Sequence, residues 1–253
     1  MNSILVQIGP ISIKWYSFFI LIGVIIAYFI ITTQAHKKGI KKESISDMFF
    51  YLVIFSILGA RLYYCIFNLN YYLYHPLDII KIWEGGLAIH GGIIAGLIVI
   101  FIYCKKNSIN LLDITDIFSV ALVLGQAIGR WGNFFNQEAY GPITSYNTLK
   151  RLGIPDFIIN GMYIDYNYHH PTFLYESFGC IIILIIILIL NKILKKRGIN
   201  TSLYLILYGI IRFFIEGLRT DSLMLFNIKV AQLVSLISII IGLIVLVRSL
   251  NDK

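Results

Sequence analysis

Long apolar runs alternate with short polar segments along the whole chain, and this pattern predicts seven membrane-spanning helices. A transmembrane helix needs about 20 consecutive, mostly apolar residues. The runs cover approximately residues 15–35, 48–67, 85–103, 114–128, 172–190, 203–218 and 228–247. The fourth and sixth runs are short for a full crossing and end in polar residues. We therefore expect these two helices to end inside protein rather than in lipid.

The composition supports a membrane protein and excludes most other classes. Apolar residues make up 58% of the 253 positions, and charged residues only 13%, about half of the roughly 25% found in soluble domains. The first apolar run lacks a small-residue cleavage motif, so we expect no cleavable signal peptide. The predicted fold is an all-α polytopic membrane protein, with residues 1–253 as one transmembrane domain. A small outer-side cap is expected over about residues 141–170, between spans four and five.

The basic residues predict the orientation of the spans. Seven crossings place the two termini on opposite sides of the membrane. Of the 21 Lys and Arg residues, 12 fall on one side: Lys37, Lys38, Lys41, Lys42, Lys105, Lys106, Lys192, Lys195, Lys196, Arg197, Arg248 and Lys253. The positive-inside rule makes that side cytoplasmic and the N-terminus external. The net charge of +8 is thus explained by topology, and we expect no nucleic-acid partner.

Three arginines lie within or at the end of apolar runs, where an unpaired charge is unfavourable and therefore suggests function. At about 1.5 Å rise per residue, Arg61 and Arg130 lie about 21 Å from the inner ends of their spans, and Arg212 about 15 Å. By the same rise, His90 lies about 7.5 Å below the outer end of the third span. In a hydrocarbon core about 30 Å thick, all four side chains are predicted to converge in the outer half.

The sixth run carries a polar face. At 100° per residue, Tyr208, Arg212, Glu216 and Arg219 share one side of a helix. The two residues Arg212 and Glu216 form an i, i+4 pair that neutralises itself in the simplest interpretation. The additional guanidinium of Arg219 then leaves a positive charge in search of an anion, and guanidinium favours planar bidentate partners such as phosphate.

Three further polar segments accompany that face. Glycines and a proline at 129, 132, 141 and 142 predict that the fourth helix breaks there, which places Arg130, Asn133 and Glu138 on irregular backbone that either lines a cavity or is buried in protein. Glycine pairs flank His90 and leave room around its imidazole, which is either a hydrogen-bonded core residue or a general base or phosphate contact. In the segment that opens the fifth span, Glu176 is expected to counter one arginine. Asp113 and Asp116 are expected to cap a helix N-terminus.

Four of these segments resemble the motifs of the prolipoprotein diacylglyceryl transferase family. They are Trp-Glu-Gly-Gly-Leu-Ala-Ile-His-Gly-Gly at 83–92, Gly-Arg-Trp-Gly-Asn-Phe-Phe-Asn-Gln-Glu-Ala-Tyr-Gly at 129–141, His-Pro-Thr-Phe-Leu-Tyr-Glu at 170–176, and Tyr-Gly-Ile-Ile-Arg-Phe-Phe-Ile-Glu-Gly-Leu-Arg at 208–219. The resemblance implies a bacterial inner-membrane enzyme. The sequence contains no metal or nucleotide motif, so we expect the enzyme to need no cofactor or metal. It would transfer the diacylglyceryl group of phosphatidylglycerol to the lipobox cysteine of a prolipoprotein signal peptide, releasing glycerol-1-phosphate. Its partners would be these two substrates and membrane lipids.

Under this hypothesis, the residues divide into catalytic and substrate-binding groups. His90 is the candidate base for the substrate thiol, with Tyr208 as the alternative, since thiolate is the nucleophile. Arg130 and Arg212 would stabilise the departing phosphate. The substrate-binding group comprises Tyr16, Arg61, Asn133, Glu138, Gly141, Glu216 and Arg219.

Three other functions fit an apolar chain with intramembrane charges. A secondary transporter of organic anions would also use arginines and broken helices, but the chain has no repeated halves. An intramembrane protease lacks support because there is no Gly-x-Ser-x-Gly motif and no aspartate in the outer half of a run. A seven-span receptor without catalysis does not explain why the polar residues cluster.

Overall fold

The computed structural model describes residues 3–9 and 11–251, and most of these are helical. In chain order, the α-helices are α1 (Trp15–Lys37), α2 (Lys42–Phe67), α3 (Leu69–Tyr74), α4 (Ile89–Lys106), α5 (Leu111–Asn136), α6 (Tyr146–Arg151), α7 (Asp156–Gly161), α8 (Thr172–Leu194), α9 (Ile199–Leu218) and α10 (Val230–Asn251). Two 3₁₀ helices, Pro76–Ile80 and Ile82–Glu84, lie between α3 and α4.

Seven of the described helices are long and apolar enough to cross a membrane: α1, α2, α4, α5, α8, α9 and α10. The predicted number of spans is therefore confirmed, and the chain is a multi-pass membrane protein. The expectation that the fourth and sixth spans are short is wrong, because α5 has 26 residues and α9 has 20.

Helix α5 continues through the predicted break, so Arg130 and Asn133 lie on regular helix and only Glu138 lies beyond its end. A glycine in a helix costs about 1 kcal/mol, which is less than the penalty of leaving backbone groups unpaired in apolar surroundings. Gly132 instead permits close packing, since a Cβ atom there would lie 2.8 Å from the Tyr16 ring.

Short antiparallel strands occupy the connections. Strands β1 (Ile4–Ile8) and β2 (Ile11–Lys14) pair before α1. Strands β3 (Ile143–Thr144), β4 (Tyr163–Ile164) and β5 (Asn167–His169) form a sheet in the order β3-β5-β4. Strands β6 (Met224–Leu225) and β7 (Ile228–Lys229) form a hairpin between α9 and α10.

The chain divides into two compact units. One unit comprises Ile31–Ile114, and the other comprises the residues before and after this range. In the Ile31–Ile114 unit, α2 and α4 pack at backbone contact, because a Cβ atom on Gly91 would lie 2.3 Å from the carbonyl oxygen of Gly59. Small residues that allow this approach are typical of helix pairs in membranes. Gly91 and Gly92, the glycines that follow His90, thus pack against α2.

In the larger unit, α5, α8 and α9 surround an apolar core that includes Val123, Cys180 and Ile187. Asp116 on α5 caps a helix as expected, but the helix is α9 rather than its own. Its carboxylate accepts hydrogen bonds from the backbone nitrogens of Gly198 and Thr201, at 2.8 and 2.9 Å. The contact fixes the N-terminus of α9 on α5 and stabilises its orphan donors.

The segment between α5 and α8 folds around a second small core. Leu149, Ile158 and Ile159 are almost fully buried and pack with Phe134 and Phe173, whose rings stack at 4.7 Å. Helices α6 and α7 and the β3-β5-β4 sheet cover this core. The sequence showed few helix or strand patterns here, because these elements have only two to six residues each. The position of the segment on the outer side stays a prediction.

Candidate functional site

A single buried carboxylate joins two of the predicted arginines. Glu176, on the second turn of α8, has only 2% of its surface exposed. Its Oε1 accepts a hydrogen bond from Nη2 of Arg130 at 2.7 Å, and its Oε2 accepts one from Nη1 of Arg212 at 3.1 Å. The hydroxyl of Tyr208 also donates to Oε1, at 2.9 Å. We call these four residues the Glu176 cluster.

The Glu176 cluster gathers side chains from three helices, α5, α8 and α9. Glu176 counters both arginines rather than the one expected from sequence. Two guanidiniums within reach of one carboxylate repel each other, so the buried negative charge is needed to hold them together. The arginine side chains keep 20% and 15% of their surface exposed, and guanidinium has five N–H donors. The arrangement therefore leaves donors available to a further anion.

The polar face of α9 continues this network. Arg212 forms an ion pair with Glu216 at 2.7 Å, although the angle is not that of a hydrogen bond. Nη1 of Arg219 lies 3.9 Å from Oε2 of Glu216. Arg219 also forms a bidentate ion pair with Asp221, in which Nε donates to Oδ1 at 3.0 Å and Nη2 donates to Oδ2 at 3.1 Å. The face predicted from the helical period is thus confirmed for Tyr208, Arg212 and Glu216. Arg219 instead follows the last residue of α9 in extended backbone, and it pairs with an aspartate that was not predicted.

These carboxylates overturn the expectation of an uncompensated positive charge. Among the described residues of this network, the three arginines meet Glu176, Glu216 and Asp221. Burial alone would raise the pKa of Asp221, but the hydrogen bond and charge of Arg219 lower it below its usual value. Asp221 is therefore ionised at neutral pH and balances Arg219. The sequence argument considered only charges on one helix face, whereas Asp221 lies in the following turn.

Asn133 extends the network toward the loop after α5. Its Oδ1 accepts a hydrogen bond from Nη1 of Arg130 at 3.3 Å, and its Nδ2 donates to Oε1 of Glu138 at 2.8 Å. Gly141 pairs through its backbone with His170 and is packed so closely that a Cβ atom would lie 2.9 Å from the His170 Cβ. The structure thus brings together Arg130, Asn133 and Glu138, and gives Gly141 a packing role.

Lys229 binds the C-terminal end of α9, an interaction that the sequence did not predict. Its Nζ donates to the backbone carbonyls of Glu216 and Arg219, both at 2.8 Å, and to that of Gly217 at 3.2 Å. A cation at the C-terminus of a helix satisfies orphan carbonyls and is favoured by the helix dipole. Of the residues missed from the predicted site, Glu176 carried a signal in its motif, whereas Asp221 and Lys229 depend on chain reversal after α9.

Two of the predicted residues, Arg61 and His90, belong to the Ile31–Ile114 unit. Arg61 is 6% exposed and donates to the carbonyl oxygens of Ile79 (2.8 Å), Asp78 (2.5 Å) and Gly85 (2.8 Å), with further bonds to Gly86 and Lys81. It therefore holds residues 78–86 against α2. His90 is exposed on the first turn of α4. The predicted convergence of all four polar residues stays a prediction.

Replacing Arg61 by methionine is expected to loosen residues 76–88. The variant keeps the bulk of the side chain but removes the donors for five carbonyls. Amide hydrogen exchange in this segment should accelerate about 30- to 100-fold, equivalent to about 2–3 kcal/mol for lost charged hydrogen bonds. Lys105→Met, which changes an exposed cation of the same unit, is the control. Equal exchange in both variants would exclude the structural role of Arg61.

Comparison with known proteins identifies the family. The family model described as prolipoprotein diacylglyceryl transferase matches residues 3–248. A phosphatidylglycerol–prolipoprotein diacylglyceryl transferase of Staphylococcus haemolyticus is 50% identical over 242 residues, covering 95% of this chain and 86% of the relative. Proteins of the same name from Staphylococcus saprophyticus and Clostridium novyi are 46% and 47% identical, each over 98% of this chain and over 89% and 96% of the relative, respectively. The chain therefore belongs to the prolipoprotein diacylglyceryl transferase family.

Proposed function

We propose that this protein transfers the diacylglyceryl group of phosphatidylglycerol to the thiol of a lipobox cysteine in a prolipoprotein signal peptide, the first step of bacterial lipoprotein maturation. Family membership and the names of the relatives support this reaction. The structural observation that carries it is the Glu176 cluster, in which Arg130 and Arg212 from different helices reach one carboxylate. Two guanidiniums that bind the two oxygens of one carboxylate are also suited to the two free oxygens of a phosphodiester.

The reaction requires one bond to form and one to break. The cysteine sulfur, as thiolate, attacks the carbon of the diacylglyceryl group that is bonded to the phosphate oxygen. A C–S bond then replaces the C–O bond of this carbon. The electron pair of the broken bond leaves with the phosphate as glycerol-1-phosphate, and the thiol proton passes to a base. Because negative charge grows on the departing phosphate, Arg130 and Arg212 would act in the transition state more than in the bound substrate.

His90 is the proposed base. Deprotonating Tyr208 instead would place a second negative charge next to Glu176, to which its hydroxyl already donates, and this is unfavourable in a buried site. His90 is exposed, and its role requires that its imidazole reach the substrate thiol.

The other site residues would bind and orient the substrates. Asn133, Glu138 and Glu216 contact the arginines or their partners, and Tyr16 packs on Gly132 of the same helix as Arg130. Arg61, Gly141 and Arg219 would act mainly by shaping their loops, consistent with their backbone and carboxylate contacts.

We further propose the bacterial inner membrane as the location, with the N-terminus outside and the C-terminus cytoplasmic. The positive-inside distribution of Lys and Arg supports this orientation. It would place the short segment between α5 and α8 on the outer side, where lipobox cysteines are presented.

The experiment that tests the function uses purified protein in detergent–phosphatidylglycerol micelles with a lipobox peptide. The expected product is the peptide with a mass increase equal to diacylglycerol minus water. A peptide with serine in place of the lipobox cysteine is the control, because its hydroxyl is a far weaker nucleophile at neutral pH. No mass increase with the cysteine peptide, under conditions where a curated relative reacts, would refute the proposal.

The pH dependence of the rate tests the base. A protonated imidazole cannot accept a proton, so a histidine general base makes the wild-type rate fall at acidic pH. His90→Gln should lower the rate about 10²- to 10⁴-fold and remove this acidic limb. His75→Gln, which changes another histidine of the same unit, is the control. A His90→Gln profile of unchanged shape would exclude His90 as the base.

A further inference from the structure

The polar contacts around the Glu176 cluster close into a ring. Each member touches the next through a side-chain contact, except for one covalent step from Glu138 to the backbone nitrogen of Ala139. In order, the members are Arg130, Glu176, Arg212, Glu216, Arg219, Asp221, Ala139, Glu138 and Asn133. We call this set the polar ring, and all of it lies within the larger unit.

Asp221 is the member that joins the two ends of the polar ring. Its carboxylate binds Nε and Nη2 of Arg219, and the same Oδ2 that faces Nη2 accepts a hydrogen bond from the backbone nitrogen of Ala139 at 3.2 Å. Next to it, the Thr220 hydroxyl and backbone nitrogen both donate to the carbonyl of Tyr140, at 3.3 and 3.4 Å. The turn after α9 is thereby bound to the loop after α5.

The loop that Asp221 contacts has an unfavourable backbone conformation. Gln137 and Ala139 have φ angles of +52° and +57°, in the left-handed region that residues with a Cβ rarely occupy. Such a conformation persists only where surrounding contacts enforce it. Gln137 is the left-handed cap that ends α5, where the backbone nitrogen of Glu138 donates to the carbonyl of Asn133 at 3.1 Å. Ala139 is held by the bond from its backbone nitrogen to Asp221 and the bond from the Thr172 hydroxyl to its carbonyl. The result fixes Glu138 opposite Asn133.

We infer that Asp221 is a positioning residue. It holds the loop that carries Glu138 and the side chain of Arg219 in their places within the polar ring, and it does not touch the reacting atoms. Removing its carboxylate breaks the bidentate ion pair with Arg219 and the hydrogen bond from the backbone nitrogen of Ala139. The strained loop then relaxes, and Glu138 loses its alignment with Asn133 and, through it, with Arg130. This role rests on the proposed function for its effect on the rate, but its effect on the loop is independent of any reaction.

The test compares Asp221→Ala with Asp156→Ala. Asp156 is a suitable control because it is also an exposed aspartate whose two carboxylate oxygens both bind one cation, Nζ of Lys150 at 2.7 Å. It lies outside the polar ring. Hydrogen exchange of peptides covering 137–141 should accelerate about 10-fold in Asp221→Ala and stay unchanged in Asp156→Ala. In the transfer assay, kcat of Asp221→Ala should fall about 10- to 100-fold, since small misplacements of reacting groups have effects of this size. Its KM should change much less.

A double-mutant cycle separates positioning from general destabilisation. If Asp221 acts through Glu138, the fold-loss of kcat caused by Asp221→Ala should be smaller in a Glu138→Gln background than in the wild-type protein. The two fold-losses should differ by a factor of about three or more. Additive effects, unchanged exchange at 137–141, or faster exchange with normal kcat would each overturn the inference. If the wild-type protein fails to modify the lipobox peptide, the proposed function fails, and the exchange measurement alone decides whether Asp221 holds the loop.

Discussion

Arg130→Ala is expected to lower the rate of diacylglyceryl transfer about 10²- to 10³-fold, the effect typical of losing one charged contact to a transition state. Arg130 reaches Glu176 with one guanidinium nitrogen and Asn133 with the other, and it keeps part of its surface exposed. Arg212→Ala is expected to have an effect of the same order, because it reaches the other oxygen of Glu176. Both losses should appear mainly in kcat, since the charge on the leaving phosphate develops during the reaction.

Two further variants make this result specific. Arg130→Lys keeps the charge but loses the planar fork, so it should recover only part of the rate. Arg151→Ala changes an exposed arginine at the end of α6 and should retain wild-type activity. Wild-type turnover by both Arg130→Ala and Arg212→Ala would remove the arginines from the mechanism and leave the Glu176 cluster with a purely structural role.

Glu176→Ala is expected to destabilise the folded protein by about 3–5 kcal/mol, the range for breaking a buried ion pair from one side. The carboxylate is 2% exposed and accepts from Arg130, Arg212 and Tyr208. Without it, two guanidiniums face each other in a partly buried site with no charge between them. Denaturant unfolding in mixed micelles measures the change, and Glu43→Ala, at an exposed position of α2, serves as the control.

A quadruple replacement separates stability from catalysis at this cluster. Arg212 also pairs with the buried Glu216, so Glu176, Arg130, Arg212 and Glu216 are exchanged together for methionine, because well-packed apolar residues often substitute for a buried ion group without loss of stability. The quadruple variant should therefore be more stable than Glu176→Ala but inactive in transfer. If Glu176→Ala were as stable as Glu43→Ala, the carboxylate would not be required to hold the arginines together.

Most of the predicted spans could be read from the sequence because the energy of burying a helix in lipid depends on its own length and composition. The predicted and observed boundaries differ most at α5, where glycines suggested a break. Gly132 instead serves the contact with Tyr16, and that partner lies more than 100 residues earlier in the chain. A glycine that bends a helix and a glycine that admits a neighbour have the same local sequence.

The polar residues of the site could also be identified from the sequence, because they are charged or polar residues within apolar runs. The sequence did not identify the residues with which they pair. The helical period placed Tyr208, Arg212 and Glu216 on one face, which the structure confirms, whereas Arg219 follows the end of α9. It gave no means of assigning Glu176 to both Arg130 and Arg212, or Asp116 to the N-terminus of α9. These contacts join residues separated by tens of positions, and no periodicity links them.

The sequence by itself determined that the chain crosses a membrane seven times and that a few arginines, carboxylates and a histidine stand where charge is unfavourable. Only the tertiary structure decided how those charges are balanced: Glu176 between two arginines, Asp221 on Arg219 and on the loop of Glu138, and Arg61 on backbone carbonyls. The physical reason is that helix insertion is governed by neighbours along the chain. Neutralisation of a buried charge depends instead on which atoms lie within a few ångströms of it.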